Sequence, residues 1–185
     1  VTDTEDEAAT VLDGMFMSLT ANKYLEEKIT TSIVGDGELA DSASPELASI
    51  RRHMRATESR VRDILQKIIS SSQAKFLQES IITQRSGRYV VPVKSEHKNE
   101  IPGLVHDLSG SGNTFFIEPM GVVKANNELR ELQAKEEKEI DRILAEMSAE
   151  AASFKDDINQ NYDLLIALDG IYSGLYKQQF REEEM

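Results

Sequence analysis

The chain has no cysteine and no tryptophan, only four prolines, and few aromatic residues, 6% in all. Without cysteine there is no disulfide framework, no thiol nucleophile and none of the usual structural zinc sites, and the composition fits a reducing cytoplasm. Few aromatics beside 29% charged residues describe helices with narrow apolar seams rather than one large globular core. No apolar run approaches the ~20 residues needed to span a bilayer, so no membrane is expected. Positive charge is also short: 21 Lys and Arg face 33 Asp and Glu, a net charge of −12 with a pI near 4.7. The chain as a whole would be repelled by nucleic acid, so any binding of that kind must come from a local patch. Because the first residue is Val1 and no signal-peptide pattern follows, the chain is expected to be a piece of a longer polypeptide.

Long helical patterns are what the sequence does have. Residues 1 to 7 are acidic and are expected to fray. Ala8, Val11, Leu12, Met15, Phe16 and Leu19 then recur at helical spacing, and a second short helix runs through Tyr24, Leu25, Lys28, Ile29 and Ile33 until Gly35–Asp36–Gly37 breaks it. Ser44–Pro45–Glu46–Leu47 reads as a helix start, with a capping hydroxyl, a proline whose missing N–H costs nothing, and a carboxylate at the positive end of the dipole. From there Leu47, Ile50, Met54, Thr57, Val61, Ile64 and Ile68 form a heptad seam broken only by Thr57, predicting a rod of roughly 40 Å that ends near Ser70–Ser71–Ser72. A second long pattern passes through Val122, Ala125, Leu129, Leu132, Glu136, Ile140, Ile143, Met147, Ala151, Phe154 and Ile158. The first seam's polar side is basic, with Arg51, Arg52, Arg55, Arg60, Arg62 and Lys67, and the second pattern is acidic. Two seams of opposite charge predict an antiparallel coiled-coil hairpin. Within the second, pairs such as Glu131 with Lys135 add a little helix support. Residues 160 to 180 stay helical and are apolar on both faces, as if packed on the N-terminal helices or on another domain.

Between the seams, Ile81 to Pro119 alternates with period two and is electrically neutral: Arg85, Arg88, Lys94 and Lys98 balance Glu96, Glu100, Asp107 and Glu118. Strands are predicted near 80–84, 88–94, 103–107 and 114–118, with short links that suggest an antiparallel meander. Pro92 cannot donate to a ladder and should mark an edge or a bulge. Tyr89, Val91 and Val93 should share one face. The fold class expected is therefore mainly α with a small antiparallel β insert.

Few motifs here carry chemistry. Gly110–Ser111–Gly112–Asn113–Thr114 looks faintly like a phosphate loop, but no lysine follows and the next residues are strand-like, so a hairpin turn is the better reading. His106, Asp107 and Ser109 hold the residue types of a hydrolytic triad, yet neighbours on a strand point to opposite faces. His53, His97 and His106 are too scattered for a metal site, and no catalytic or metal-ligating residue is assigned. What remains is a cluster of cations near the turns: Arg85, Arg88, Lys94, His97 and Lys98. Such residues at the end of a rod are what a phosphate-backbone contact requires, and they read equally well as an ordinary soluble surface.

Several unusual blocks occur together and in order: Asp41–Ser42–Ala43–Ser44–Pro45–Glu46–Leu47, Gly87–Arg88–Tyr89–Val90–Val91–Pro92–Val93–Lys94, Ile101–Pro102–Gly103–Leu104–Val105–His106–Asp107, Phe116–Ile117–Glu118–Pro119 and Asn126–Asn127–Glu128–Leu129. In these, residues 40 to 170 resemble the MutS-II subfamily of MutS proteins. The resemblance implies long antiparallel lever helices that carry a four-stranded clamp, with a helical core at the base. On that reading, 1–44 is a helical core segment, 45–80 an ascending lever helix, 81–118 the clamp, 119–160 a descending lever helix, and 161–185 a core helix leading towards an ATPase. That ATPase would begin after Leu168–Asp169–Gly170. No G-x-x-x-x-G-K-[ST] motif occurs in the chain, so ATP and Mg are expected only in the parent protein, as is any endonuclease activity; the fragment itself is expected to be no enzyme and to hold no cofactor.

The family is associated with ATP-driven binding of branched DNA, suppression of recombination and rescue of collided ribosomes. By resemblance the expected partners are double-stranded or branched DNA or the ribosome through its rRNA, within a cytoplasmic homodimer. The alternative is a coiled-coil structural or dimerisation module with no direct nucleic-acid contact.

Overall fold

The structure, a computed structural model, describes residues 11–183. The acidic start expected at 1 to 7, with Ala8, lies outside the described residues. The chain divides into two units, one taking the chain up to Gly37 and again from Leu144, the other Glu38–Ile143. In the first unit residues 11–17 are helical (α1) and α2 spans Lys23–Ser32. The side chain of Asn22 accepts from Leu25 N–H and so supplies the cap that begins α2. Further along the chain, two-residue strands, β1 (Ile33–Val34) and β2 (Glu38–Leu39), flank the expected turn, where Gly35 and Gly37 take positive φ. The first unit is tied by Asn161, which accepts from Thr20 N–H at 2.9 Å and donates to Thr20 O at 2.7 Å, and by an ion pair between Lys28 and Glu150.

In the second unit α3 spans Pro45–Ile69. The predicted start holds in detail: Ser44 Oγ accepts from Leu47 N–H at 2.9 Å, with Pro45 in the first turn. The buried residues are Leu47, Ile50, Thr57, Val61 and Leu65. Leu65 takes the place of Ile64 because a straight helix of 3.6 residues per turn drifts off a 3.5-residue repeat. The opposite arm is α4 (Met120–Ser153); beyond Phe154 the chain continues as α5 (Lys155–Glu183). Partners along α3 and α4 run in opposite order. Ser44 donates to Glu139 at 2.7 Å, Arg51 to Glu136 at 2.6 Å and Arg60 to Glu128 at 2.5 Å. The arms are therefore antiparallel. Thr57 breaks the heptad because its hydroxyl lies 3.4 Å from Glu128, inside this polar ladder.

The insert forms a four-stranded antiparallel sheet of β3 (Thr83–Arg85), β4 (Arg88–Lys94), β5 (Gly103–Leu108) and β6 (Thr114–Pro119). Its order is β3-β4-β6-β5, which corrects the meander. Residues Ser95–Glu100 form a 3-10 turn, and this connection is long enough to carry β5 past the next position, leaving room for β6 beside β4. Ser86 and Gly87, both at positive φ, make the tight turn between β3 and β4. Pro92 lies neither on an edge strand nor at a bulge, because β4 runs between β3 and β6 and the register shift falls at Val105/Asp107; its O accepts from Gln78 N–H at 2.9 Å, so its nitrogen faces the same side, beyond the end of β3, where no ladder donor is needed. Ser109 to Asn113 is the hairpin turn expected, closed by Ser109 N–H to Thr114 O at 2.9 Å, with Gly112 at positive φ.

The core lies under one sheet face, where Tyr89, Val91, Val93 and Ile117 meet Val61 and Leu65 of α3 and Val122, Ala125 and Leu129 of α4. Each such aliphatic side chain contributes about 1.5–3 kcal/mol by leaving water. Strand β5 approaches β6 so closely that a Cβ on Gly103 would stand 2.1 Å from Glu118 O and 2.7 Å from Ile117 Cγ2.

A charged cluster closes the other face. Glu118 is fully buried, and both oxygens are saturated. Its Oε1 accepts from Arg88 Nη2 and Asn126 Nδ2, each at 2.7 Å; its Oε2 accepts from Arg88 Nε at 2.8 Å and lies 2.5 Å from His106 Nε2. Burial alone would push this carboxyl up, but the hydrogen bonds from Arg88, Asn126 and His106 outweigh it and hold the pKa below the usual carboxylate range. Arg88 also donates to Asn127 at 2.7 Å, and Asn126 exchanges hydrogen bonds with the Tyr89 backbone at 3.3 and 3.1 Å. The sheet is thereby fastened to the beginning of α4.

Three outcomes are expected. Gly103→Ala forces β5 off β6 and lowers unfolding free energy by about 3 kcal/mol in urea titration. Glu118→Gln strands the Arg88 charge and costs about 3–5 kcal/mol, whereas the paired change Arg88→Met with Glu118→Leu costs much less, as a double-mutant cycle reads directly. Glu139, held by Arg142 and Ser44, has its pKa lowered from 4.5 to about 2. Its contribution is complete above the unfolded value and is lost as pH falls through about 2. The melting temperature should therefore drop on acidification across that window, and less steeply in Glu139→Gln.

Candidate nucleic-acid interface

The sheet separates the five cations singled out in the sequence. Arg88 is only 8% exposed, and its guanidinium is committed to Glu118 and Asn127. Strand alternation turns it towards the buried carboxylate, so its role is internal and it offers no donor to a ligand. Arg85 packs over the Phe116 ring at 3.8 Å, and its Nε lies 3.2 Å from Asp107 Oδ2. Lys98 sits over the ring of Phe115, 4.8 Å from the centroid. Successive residues of a strand point to opposite faces, so Arg85 and Lys98 belong to opposite sides of the sheet.

Lys94, His97 and Lys98 do come together, on and beside the 3-10 turn Ser95–Glu100. A second 3-10 turn, Ser72–Phe76, lies against it. Lys94 donates to Lys75 O at 3.1 Å, His97 stands beside Phe76 with ring centroids 5.1 Å apart, and Lys75 lies 4.9 Å above that ring. Lys75, Phe76 and Phe115 thus join the patch, although only the insert's own cations stood out in the sequence. The available signal was a cation next to an aromatic in the stretch that follows the serine run.

Among the described residues, none of Lys75, Lys94 and Lys98 has a carboxylate partner. On α3 three arginines do have such partners: Arg51 pairs with Asp41 and Glu136, Arg55 with Asp41, and Arg60 with Glu128. The patch is mild in charge, because Glu96 and Glu100 lie in the same turn. His106 and Asp107 take different partners, Glu118 and Arg85, and form no triad. Among the described residues no group of His, Asp or Glu is placed to hold a metal ion, and no described helix is long and apolar enough to cross a membrane. An apolar groove between α1 and α5 is lined by Leu12, Phe16, Leu165, Leu168 and Tyr172, with Asp169 the one charged lining residue among the described residues.

No family model matches the chain. Among curated proteins it is 47% identical over 170 residues to the endonuclease MutS2 of Ruminiclostridium cellulolyticum, covering 91% of this chain and 22% of the relative. It is 47% identical over 164 residues to the protein of that name from Acetivibrio thermocellus, covering 88% and 21%, and 55% identical over 148 residues to that from Pelotomaculum thermopropionicum, covering 80% and 19%. The chain thus spans about a fifth of the length of the curated relatives it matches. Identity at this level over 80–91% of its length makes the chain a segment of a MutS-family protein of the MutS2 kind.

Proposed function

We propose that this segment is a lever and clamp: α3 and α4 carry the four-stranded sheet, and the sheet holds the sugar-phosphate backbone of DNA or of ribosomal RNA. The observation that carries the reading is the contrast in pairing. On α3, Arg51, Arg55 and Arg60 are paired with carboxylates, while Lys75, Lys94 and Lys98 stand together with their ammonium groups uncommitted to any carboxylate among the described residues. Uncommitted cations release counterions from phosphate, and they do so without reading sequence. His97 adds a donor beside them, and Arg85 serves the opposite face. The relatives are named endonucleases; the parent of this chain is proposed to be a cytoplasmic homodimer whose ATPase and nuclease regions lie in other parts of the polypeptide. The network from Glu118 to Asn126 and Asn127 supports a relay of ATP-driven motion, since it fastens the sheet to α4. Recombination suppression or the rescue of collided ribosomes would use the same grip.

A second reading, docking to a protein, draws on β5. It is an edge strand, and Leu104, Val105 and Leu108 on it are exposed.

Reversing Lys75, Lys94 and Lys98 to Glu in the intact protein separates the two readings. Backbone contact predicts weaker binding to junction DNA or ribosomes, and a salt slope shallower by about 0.9 for each phosphate that is no longer neutralised. An unchanged affinity and slope would leave protein docking as the surviving reading. Arg88 stays out of this test because its loss disturbs the fold.

A further inference from the structure

Two rings of the patch rest on the hydrophobic core and are overlain by ammonium groups. Phe76 and Phe115 are half-buried against the cluster of Leu77, Val93 and Ile117. Lys75 stands 4.9 Å from the Phe76 centroid and Lys98 stands 4.8 Å from that of Phe115, and both lysines are exposed. His97 flanks Phe76, with its ring tilted by 50°.

An ammonium over a phenyl ring at an exposed site is held weakly, because water competes for the charge. A nucleobase stacks on such a ring more strongly, and every base has a π-face to offer. Exchange is therefore favourable: the base takes the ring, and the displaced lysine, tethered beside it, meets a phosphate of the same strand. Duplex bases cannot take part, since their faces are already stacked inside the helix; unpaired nucleotides can be splayed out. Glu96 and Glu100 in the same turn lower the net charge of the patch, which weakens the pull on a plain duplex backbone and leaves stacking with the larger share.

We infer that Phe76, Phe115 and His97, with Lys75 and Lys98, form a stacking site for unpaired nucleotides, so that nucleic acid with a bulge, gap or loop is held in preference to flush duplex. This rests on the nucleic-acid reading above and extends it from backbone to base.

The test titrates the intact protein with a labelled flush duplex and with the same duplex carrying a three-nucleotide bulge that contains 2-aminopurine. The expected result is about tenfold tighter binding of the bulged duplex, with quenching of the 2-aminopurine emission. Phe76→Leu with Phe115→Leu keeps an apolar side chain on the core and should abolish both the preference and the quench. Phe76→Tyr with Phe115→Tyr should retain both effects, which guards against a loss caused by misfolding. Equal affinity for the two duplexes, or a preference and quench that survive the leucine changes, overturns the stacking site while leaving backbone contact intact. Absence of binding to either duplex and to ribosomes overturns both readings together.

Discussion

One buried carboxylate organises the insert. Glu118 sits in the sheet with no exposed surface, and a charge in that position is tolerable only if every lone pair is used. Arg88, His106 and Asn126 use them, and they come from β4, β5 and α4 respectively. A small sheet of short strands is marginal by itself. Here the requirement to satisfy one anion draws two further strands and a helix to a common point, and the apolar face beneath then packs against α3 and α4. The close passage of Gly103 over Glu118 belongs to the same arrangement, because any side chain there would push β5 away from the carboxylate's partners.

The same principle sorts the cations of the second unit. On α3, Arg51, Arg55 and Arg60 form a ladder in which Glu128 and Glu136 of α4, and Asp41 before α3, each meet an arginine. Such pairs at a partly exposed seam fix which helix meets which, and in what direction, more than they add to stability. Lysines near the sheet's turns have no such obligation. They lie over aromatic rings or against a backbone carbonyl, where a stronger partner can displace them.

Mechanically, the patch and the buried network lie on strands that share β6. Phe115 belongs to the patch and Glu118 to the network, and both are on that one strand. A ligand that moves Phe115 therefore acts on a strand whose far end is bonded to Asn126 through Glu118, which is a short, bonded route from the surface to α4.

The sequence by itself determined the local structure: the Ser44 cap, the length of α3, the positions of the strands and the turn at Ser109 to Asn113. These follow from periodicity, capping and backbone restriction, which act over a few residues. It also held the blocks shared with relatives, including Asn126 and Asn127, without saying what those side chains touch. Tertiary structure alone decided the strand order, because the Ser95 to Pro102 link is long enough for either path and only packing chooses. It likewise decided which cations are free. Arg88 and Lys98 look alike in a list of charges, but Arg88 faces a carboxylate 30 residues away and Lys98 faces a ring at the surface. Pairing of that kind depends on distances between segments remote in the chain, and no local pattern encodes it.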